Sequence, residues 1–157
     1  MAPGSAAGQY AGMTEPPQQQ KNIGESRGTI TVLLVDDSVA FSNALALLIA
    51  GIPGAQFVGS VRSGEDAQAS VAALRPRLVL VDLNLPGING IEATRRIKAQ
   101  HDAPRVVILT FHDTADYREG AMHTLADGYL LKSNVVAELP ALIESLLREP
   151  HEGLGRA

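Results

Sequence analysis

Five short runs of β-branched and aliphatic residues limit what this chain can fold into: TITVLLV (29–35), QFVGSV (56–61), RLVLV (77–81), RVVIL (105–109) and GYLL (128–131). Each has the length and residue types of a β-strand. The segments between them are longer and read as helices. SVAFSNALALLIAG has Ser38 to cap its start and Gly51 to stop it, and SGEDAQASVAAL opens on Ser63 with acidic residues in its first turn. NGIEATRRIKAQ places Ile91, Thr94 and Ile97 near one face and Arg95, Arg96 and Lys98 mostly on the other. TADYREGAMHTL is a more polar helix. In the last, VVAELPALIESLL, Pro140 is expected to kink the helix or mark its first turn, because proline has no N–H to donate. Strands this apolar cannot leave one side of a sheet to water. The alternation therefore predicts an α/β fold, a doubly wound five-stranded parallel sheet with helices on both faces.

Polar residues fall at particular places in this pattern. The first strand runs into Asp36 and Asp37, the third ends in Asp82, the fourth in Thr110 and the fifth in Lys132. In an open parallel sheet these ends emerge along one edge, beside the crevice where such folds bind ligands. Taken singly, each has an ordinary explanation as a helix cap, turn former, strand residue or solvated lysine. Taken together, they bring three carboxylates, a hydroxyl and an ammonium to one place. Clustered carboxylates repel one another and call for a cation, and an all-oxygen site with few protein ligands suits Mg²⁺ better than Ca²⁺, for which no EF-hand loop is present. Mg²⁺ beside a carboxylate, a lysine and a threonine is a set of parts for phosphoryl transfer, with a carboxylate able to serve as nucleophile.

The segments LLVDDS, LVLVDLNLPGINGIEA, VVILT and DGYLLKS, in this order and in register with the strands, resemble the receiver domain of bacterial two-component response regulators over about Ile30 to Leu147. The resemblance implies a flavodoxin-like sheet of order 2-1-3-4-5. It also implies that Asp82 is the phosphoacceptor, and that Asp36 and Asp37, with Asp82 and the backbone carbonyl of Asn84, hold Mg²⁺. Thr110 is then the hydroxyl that moves onto the phosphoryl group, Lys132 the lysine that contacts it, and Tyr129 the aromatic switch, whose ordinary reading is a half-buried strand tyrosine. Pro86, Gly87 and Gly90 shape the loop after Asp82, and Asn89 caps the next helix.

Four positions depart from the pattern the resemblance implies. Phe111 follows Thr110 where small residues are common, so its ring is expected to hinder small phosphodonors or attacking water. Ser133 follows Lys132 where many receivers have a cis proline, and a cis bond to a non-proline residue costs about 3 kcal/mol. Leu125 stands where related receivers often carry glycine, on the face used for output. His112, two residues after Thr110, is a candidate for influencing the attacking water, with a solvated surface histidine the plainer explanation. His101, His112 and His123 form no zinc spacing.

Composition narrows the function further. At 157 residues, with 45% apolar and 19% charged side chains, the chain has the make-up of one soluble globular domain. Residues 1–28 hold hardly a large aliphatic side chain and are expected to be a disordered leader; residues 29–149 form the receiver domain and 150–157 a short tail. A net charge of -4 argues against nucleic acid and anionic membrane as partners, and the absence of cysteine excludes disulfides and thiolate chemistry. No apolar run approaches the roughly 20 residues of a membrane span, and no signal peptide is visible, so a cytoplasmic location is expected.

The wording around Asp82 and Lys132 is closest to receivers fused to a helix-turn-helix domain. About ten residues follow the last predicted helix, so output is expected through an unidentified partner protein or a homodimer. The leading reading is a switch phosphorylated by a sensor histidine kinase or phosphotransfer protein. It is not a conventional enzyme, beyond aiding its own phosphorylation and hydrolysis. The alternative is a phosphorylation-independent interaction module. An aspartate-nucleophile hydrolase ranks last, since residue 84 is Asn and no cap domain exists. A nucleotide-binding Rossmann unit fails because DDSVAF, not a glycine-rich turn, follows the first strand.

Overall fold

Because the three central strands are apolar at successive positions, they bury both faces, and the computed structural model shows how. It describes residues 28–112, 115, 119, 120 and 123–149. In chain order these form β1 (Ile30–Val35), α1 (Val39–Ala50), β2 (Ala55–Val61), α2 (Gly64–Leu74), β3 (Leu78–Asp82), α3 (Gly90–Lys98), β4 (Arg105–Thr110), β5 (Gly128–Leu131), one 3-10 turn (Lys132–Asn134) and α4 (Val135–Arg148). All pairings are parallel, in the order β2-β1-β3-β4-β5. The expected leader and tail, and most of the polar helix expected over 114–125, lie outside the described residues; Ala115, Glu119 and Gly120 within that helix are helical.

The two-residue period of the strands divides their side chains between two cores. Ile30, Val32, Leu34, Leu80 and Leu109 pack on one face against Leu45 and Ile49 of α1 and Leu139 and Ile143 of α4. Leu33, Val35, Val79, Val81 and Val106 pack on the other against Ala67 and Val71 of α2 and Ala93 and Ile97 of α3. Burying each Val, Leu or Ile side chain among these contributes on the order of 2 kcal/mol. A third cluster joins Leu83 and Ile108 to Ile91, Ala126 and Tyr129.

Helix starts follow the sequence. The hydroxyls of Ser38 and Ser63 accept from the N–H groups of Phe41 and Asp66, and the Asn89 side chain accepts from that of Glu92. Each satisfies a donor that the first helical turn leaves without a partner. On α3, Arg95 and Arg96 both pair with Glu92, whose carboxyl their hydrogen bonds hold down at about 2. Lys98 leaves that polar face and reaches the Asp127 carboxylate at 2.8 Å. Pro140 lies inside α4, in its second turn and not its first, and the helix runs on to Arg148. The carbonyl it leaves without a donor belongs to Val136, an exposed residue that water can serve. Among the described residues no peptide bond is cis, the Lys132–Ser133 bond included.

The two ends of the sheet are built differently. Where the strands begin, the chain is cross-linked: Arg77 N–H donates to the Thr31 carbonyl and hydroxyl, Arg105 N–H to the Arg77 carbonyl, and Val106 N–H to Asp127 Oδ2, while Asp127 N–H donates back to the Val106 carbonyl. Where the strands end, the register sets Val35 beside Val81, Asp82 beside Leu109 and Thr110 beside Leu131. Asp36, Asp82, Thr110 and Lys132 are thereby delivered to one edge.

Candidate functional site

A buried acid needs a partner, and at this edge two buried acids share one. Asp36 and Asp82 are 1% and 6% exposed, while Asp37 stands exposed beside them. Lys132 Nζ lies 2.6 Å from Asp36 Oδ2 and 3.4 Å from Asp82 Oδ2. The remaining carboxylate oxygens are engaged locally: Asp36 Oδ1 accepts from Ser38 N–H at 2.8 Å, and Asp82 Oδ1 from Asn84 N–H at 3.3 Å. Burial pushes the Asp82 carboxyl up from its ordinary range. The Lys132 charge opposes that rise, the Asp36 charge adds to it, and the Asn84 N–H again favours the ionised form.

One oxygen is left over. Despite its closeness to Lys132, Asp36 Oδ2 is buried and has no hydrogen-bond partner among the described residues. Asp36, Asp37 and Asp82 each offer an oxygen within 4.8 Å of the others, the one grouping of metal-ligand type among the described residues. A buried carboxylate oxygen held by an ion pair alone, within an all-oxygen cluster, fits a hard divalent cation such as Mg²⁺. His101, His112 and His123 do not enter any such cluster.

Thr110 is fully buried at the end of β4, and its Oγ1 accepts from His112 N–H at 3.1 Å. The His112 carbonyl in turn accepts from the Tyr129 hydroxyl at 2.8 Å. Thr110 and half-buried Tyr129 are thus connected through the main chain of His112.

The loop from Leu83 to Asn89 is held by two features. Gly87 adopts φ 76°, a left-handed conformation that favours glycine, and the Glu65 carboxylate from α2 accepts from Ile88 N–H at 3.2 Å. Gly90 begins α3 directly against the backbone of β3: a Cβ there would meet the Asp82 carbonyl oxygen and would lie 2.8 Å from Leu83 Cα. Only the smallest residue lets α3 approach the end of β3 so closely.

Phe111, 67% exposed, brings its ring centroid to 4.9 Å from Lys132 Nζ. Sequence reasoning placed it beside the site and the structure does the same. It missed two residues. Phe41 has its ring centroid 4.5 Å from Lys132 Nζ, and Glu65 braces the Gly87 turn. The only signal for Phe41 was its position in the first turn of the helix after Asp36–Asp37; Glu65 gave none, since its contacts lie 23 residues away.

Residues 32–144 match the family model described as the response regulator receiver domain. The transcriptional regulatory protein DegU of Brevibacillus brevis is 32% identical over 117 residues, covering 74% of this chain and 48% of its own length. The response regulator GacA of Pseudomonas viridiflava is 34% identical over 110 residues, covering 70% of this chain and 51% of its own. The chain thus spans about half the length of these relatives. Among solved structures, a LuxR-family two-component response regulator from an Aurantimonas species superposes with a TM-score of 0.70 at 35% identity, over 76% of this chain and 86% of that one. The response regulator domain of Thermotoga maritima CheB gives 0.69 at 25% identity, over 77% and 98%. Among the described residues, no helix is long and apolar enough to cross a membrane.

Proposed function

Because the chain belongs to the response regulator receiver domain family of two-component systems, we propose that it is switched by Mg²⁺-dependent phosphorylation of Asp82, with a histidine kinase or a phosphotransfer protein as donor. The observation that carries this reading is the ammonium of Lys132 shared between two buried carboxylates that belong to an all-oxygen acidic cluster.

A carboxylate oxygen of Asp82 attacks the donor phosphorus, and the bond from phosphorus to the donor's leaving atom breaks with its electron pair. The product is an acyl phosphate. Hydrolysis reverses the charge flow, as water attacks the same phosphorus and the Asp82 carboxylate leaves. Mg²⁺, when held by Asp36, Asp37, Asp82 and the Asn84 backbone carbonyl, supplies positive charge against the phosphoryl oxygens. Lys132 neutralises another of them, and its present contacts keep it within reach. Asn84 N–H and Lys132 favour the ionised, nucleophilic form of Asp82 against the opposing effect of burial. In these steps the chain assists its own modification without being a conventional enzyme.

The Thr110 hydroxyl has a proton to donate as well as lone pairs to accept with. Turning toward a phosphoryl oxygen, it gives up the His112 N–H, and the main chain it releases also carries the acceptor of Tyr129. Occupancy of Asp82 is thus communicated to an aromatic ring beyond the site and to the surface read by a partner protein.

The test is intact-protein mass after incubation with Mg²⁺ and acetyl phosphate. A gain of one phosphoryl group that disappears on chelation is expected; no gain from either acetyl phosphate or a kinase donor would leave the phosphorylation-independent module. The exposed ring of Phe111 over the site predicts that Phe111→Ala speeds both uptake from acetyl phosphate and loss of the group. Unchanged rates in both directions would remove Phe111 from any role in access.

A further inference from the structure

An ammonium group packed among carboxylates and rings has few positions open to it, and here the rings help decide which one it takes. The Lys132 side chain is only 4% exposed, although its charge sits at the edge of the sheet. Asp36 at 2.6 Å is the nearer carboxylate and Asp82 at 3.4 Å the farther. Coulombic attraction from Asp36 alone draws the ammonium away from the acid that it must serve. Two rings also lie close to Nζ, Phe41 at 4.5 Å and Phe111 at 4.9 Å, both within the range over which a ring face attracts a cation.

The two rings are not equivalent. Phe111 is mostly exposed, so water competes with it for the ammonium. Phe41 is partly buried, packs against the core shared by α1 and α4, and stands in the first turn of a helix whose start is fixed by the Ser38 cap. Its ring is therefore held in place by packing that does not depend on Lys132. A partly desolvated and independently anchored ring is the better support for a charge.

We propose that Phe41 is a positioning residue for Lys132: its ring holds the ammonium by a cation–π contact where it can turn from Asp36 to a phosphoryl group on Asp82. The effect on rate rests on Asp82 being the phosphoacceptor; the contact itself does not.

The test replaces Phe41 by leucine, by tyrosine and, site-specifically, by mono-, di- and trifluorinated phenylalanine, which keep the ring's shape while draining its negative face. Two quantities are read: the rate of phosphoryl uptake from acetyl phosphate with Mg²⁺, and the ring-current displacement of the Lys132 side-chain proton resonances in the metal-free protein. Phe41→Leu is expected to slow uptake about five-fold and to remove the Phe41 share of the ring-current displacement, leaving the share that Phe111 contributes, while Phe41→Tyr retains both. Across the fluorinated series the rate is expected to fall stepwise. A flat fluorinated series overturns the proposal, even if leucine is slow, because shape and not charge attraction would then explain the loss. An undisturbed Lys132 resonance in Phe41→Leu overturns it too. Should leucine fail to fold, the fluorinated series decides alone. Should the parent protein take up no phosphoryl group from any donor, the proposed function fails, and the resonances still decide whether the ring holds the lysine.

Discussion

Replacing Asp82 by asparagine is expected to abolish phosphoryl uptake completely and, without metal, to leave the protein more stable at neutral pH than the parent. The first half follows from the chemistry, since an amide offers no anionic oxygen to attack phosphorus. The second follows from burial. The Asp82 carboxyl is pushed above its ordinary value chiefly by desolvation, and its proximity to Asp36 adds to this more weakly than Lys132 opposes it. A group whose folded-state pKa is raised contributes stability that is fully present below its unfolded value and is lost as pH rises through the folded value. Asparagine carries no charge to desolvate and escapes that loss. The two proteins should therefore be nearly matched in acid and diverge toward neutrality, with the variant ahead. Mg²⁺ should then stabilise the parent more than the variant, because a ligand that binds only the folded state adds to its stability by mass action. Urea unfolding at two pH values, with chelator and with Mg²⁺, reads all three comparisons. A variant less stable than the parent at neutral pH without metal would show that Asp82 serves the fold through its pair with Lys132 more than burial disfavours it.

Gly90→Ala is expected to cost about 3 kcal/mol, at the upper end for a single added methyl group, and to lower the unfolding midpoint by about 10 °C. The three atoms nearest the added Cβ would all be backbone: the Asp82 carbonyl oxygen, Leu83 Cα at 2.8 Å and the Asp82 carbonyl carbon at 3.0 Å. A flexible side chain can rotate away from such a contact, but a strand held by pairing on both edges cannot. Gly90 N–H also donates to the Leu83 carbonyl, and the Gly90 carbonyl accepts from the Thr94 hydroxyl, so the residue is fastened from both directions. Relief must come by moving α3 or the end of β3, and the latter carries the proposed nucleophile. Phosphoryl uptake should accordingly fall along with stability. Gly51→Ala is the matched control, because its new Cβ would find only the Leu48 carbonyl at an ordinary 3.6 Å. Thermal unfolding of the two variants within experimental error of each other would contradict this account of Gly90.

Much of the fold was legible because the chain states it locally. Runs such as RLVLV are apolar at every other position on both faces, which admits few arrangements but a covered parallel sheet. Ser38, Ser63 and Asn89 announce their helices because a cap acts within three residues. The placement of Asp36, Asp82, Thr110 and Lys132 was legible because each follows directly from where its strand stops. What local pattern cannot carry is contact across the fold. Phe41 meets Lys132, and Glu65 meets Ile88, only once the helices have docked. The preference of Lys132 for Asp36 over Asp82 is likewise a matter of fractions of an ångström. Pro140 illustrates the converse: a local rule against proline in helix interiors yields in a helix that runs through it to Arg148.

The cross-links at the starts of the strands give the sheet a fixed root. Arg77, Arg105 and Asp127 tie neighbouring segments together there, at the end opposite the carboxylates. The far end is tied as well, by Asp36 N–H to the Val61 carbonyl, Leu83 N–H to the Leu109 carbonyl and Lys132 to both buried carboxylates. Of these two sets of ties, only the second is made by the groups that the proposed chemistry would change, so phosphorylation would loosen or tighten one end of the sheet and leave the other as it is.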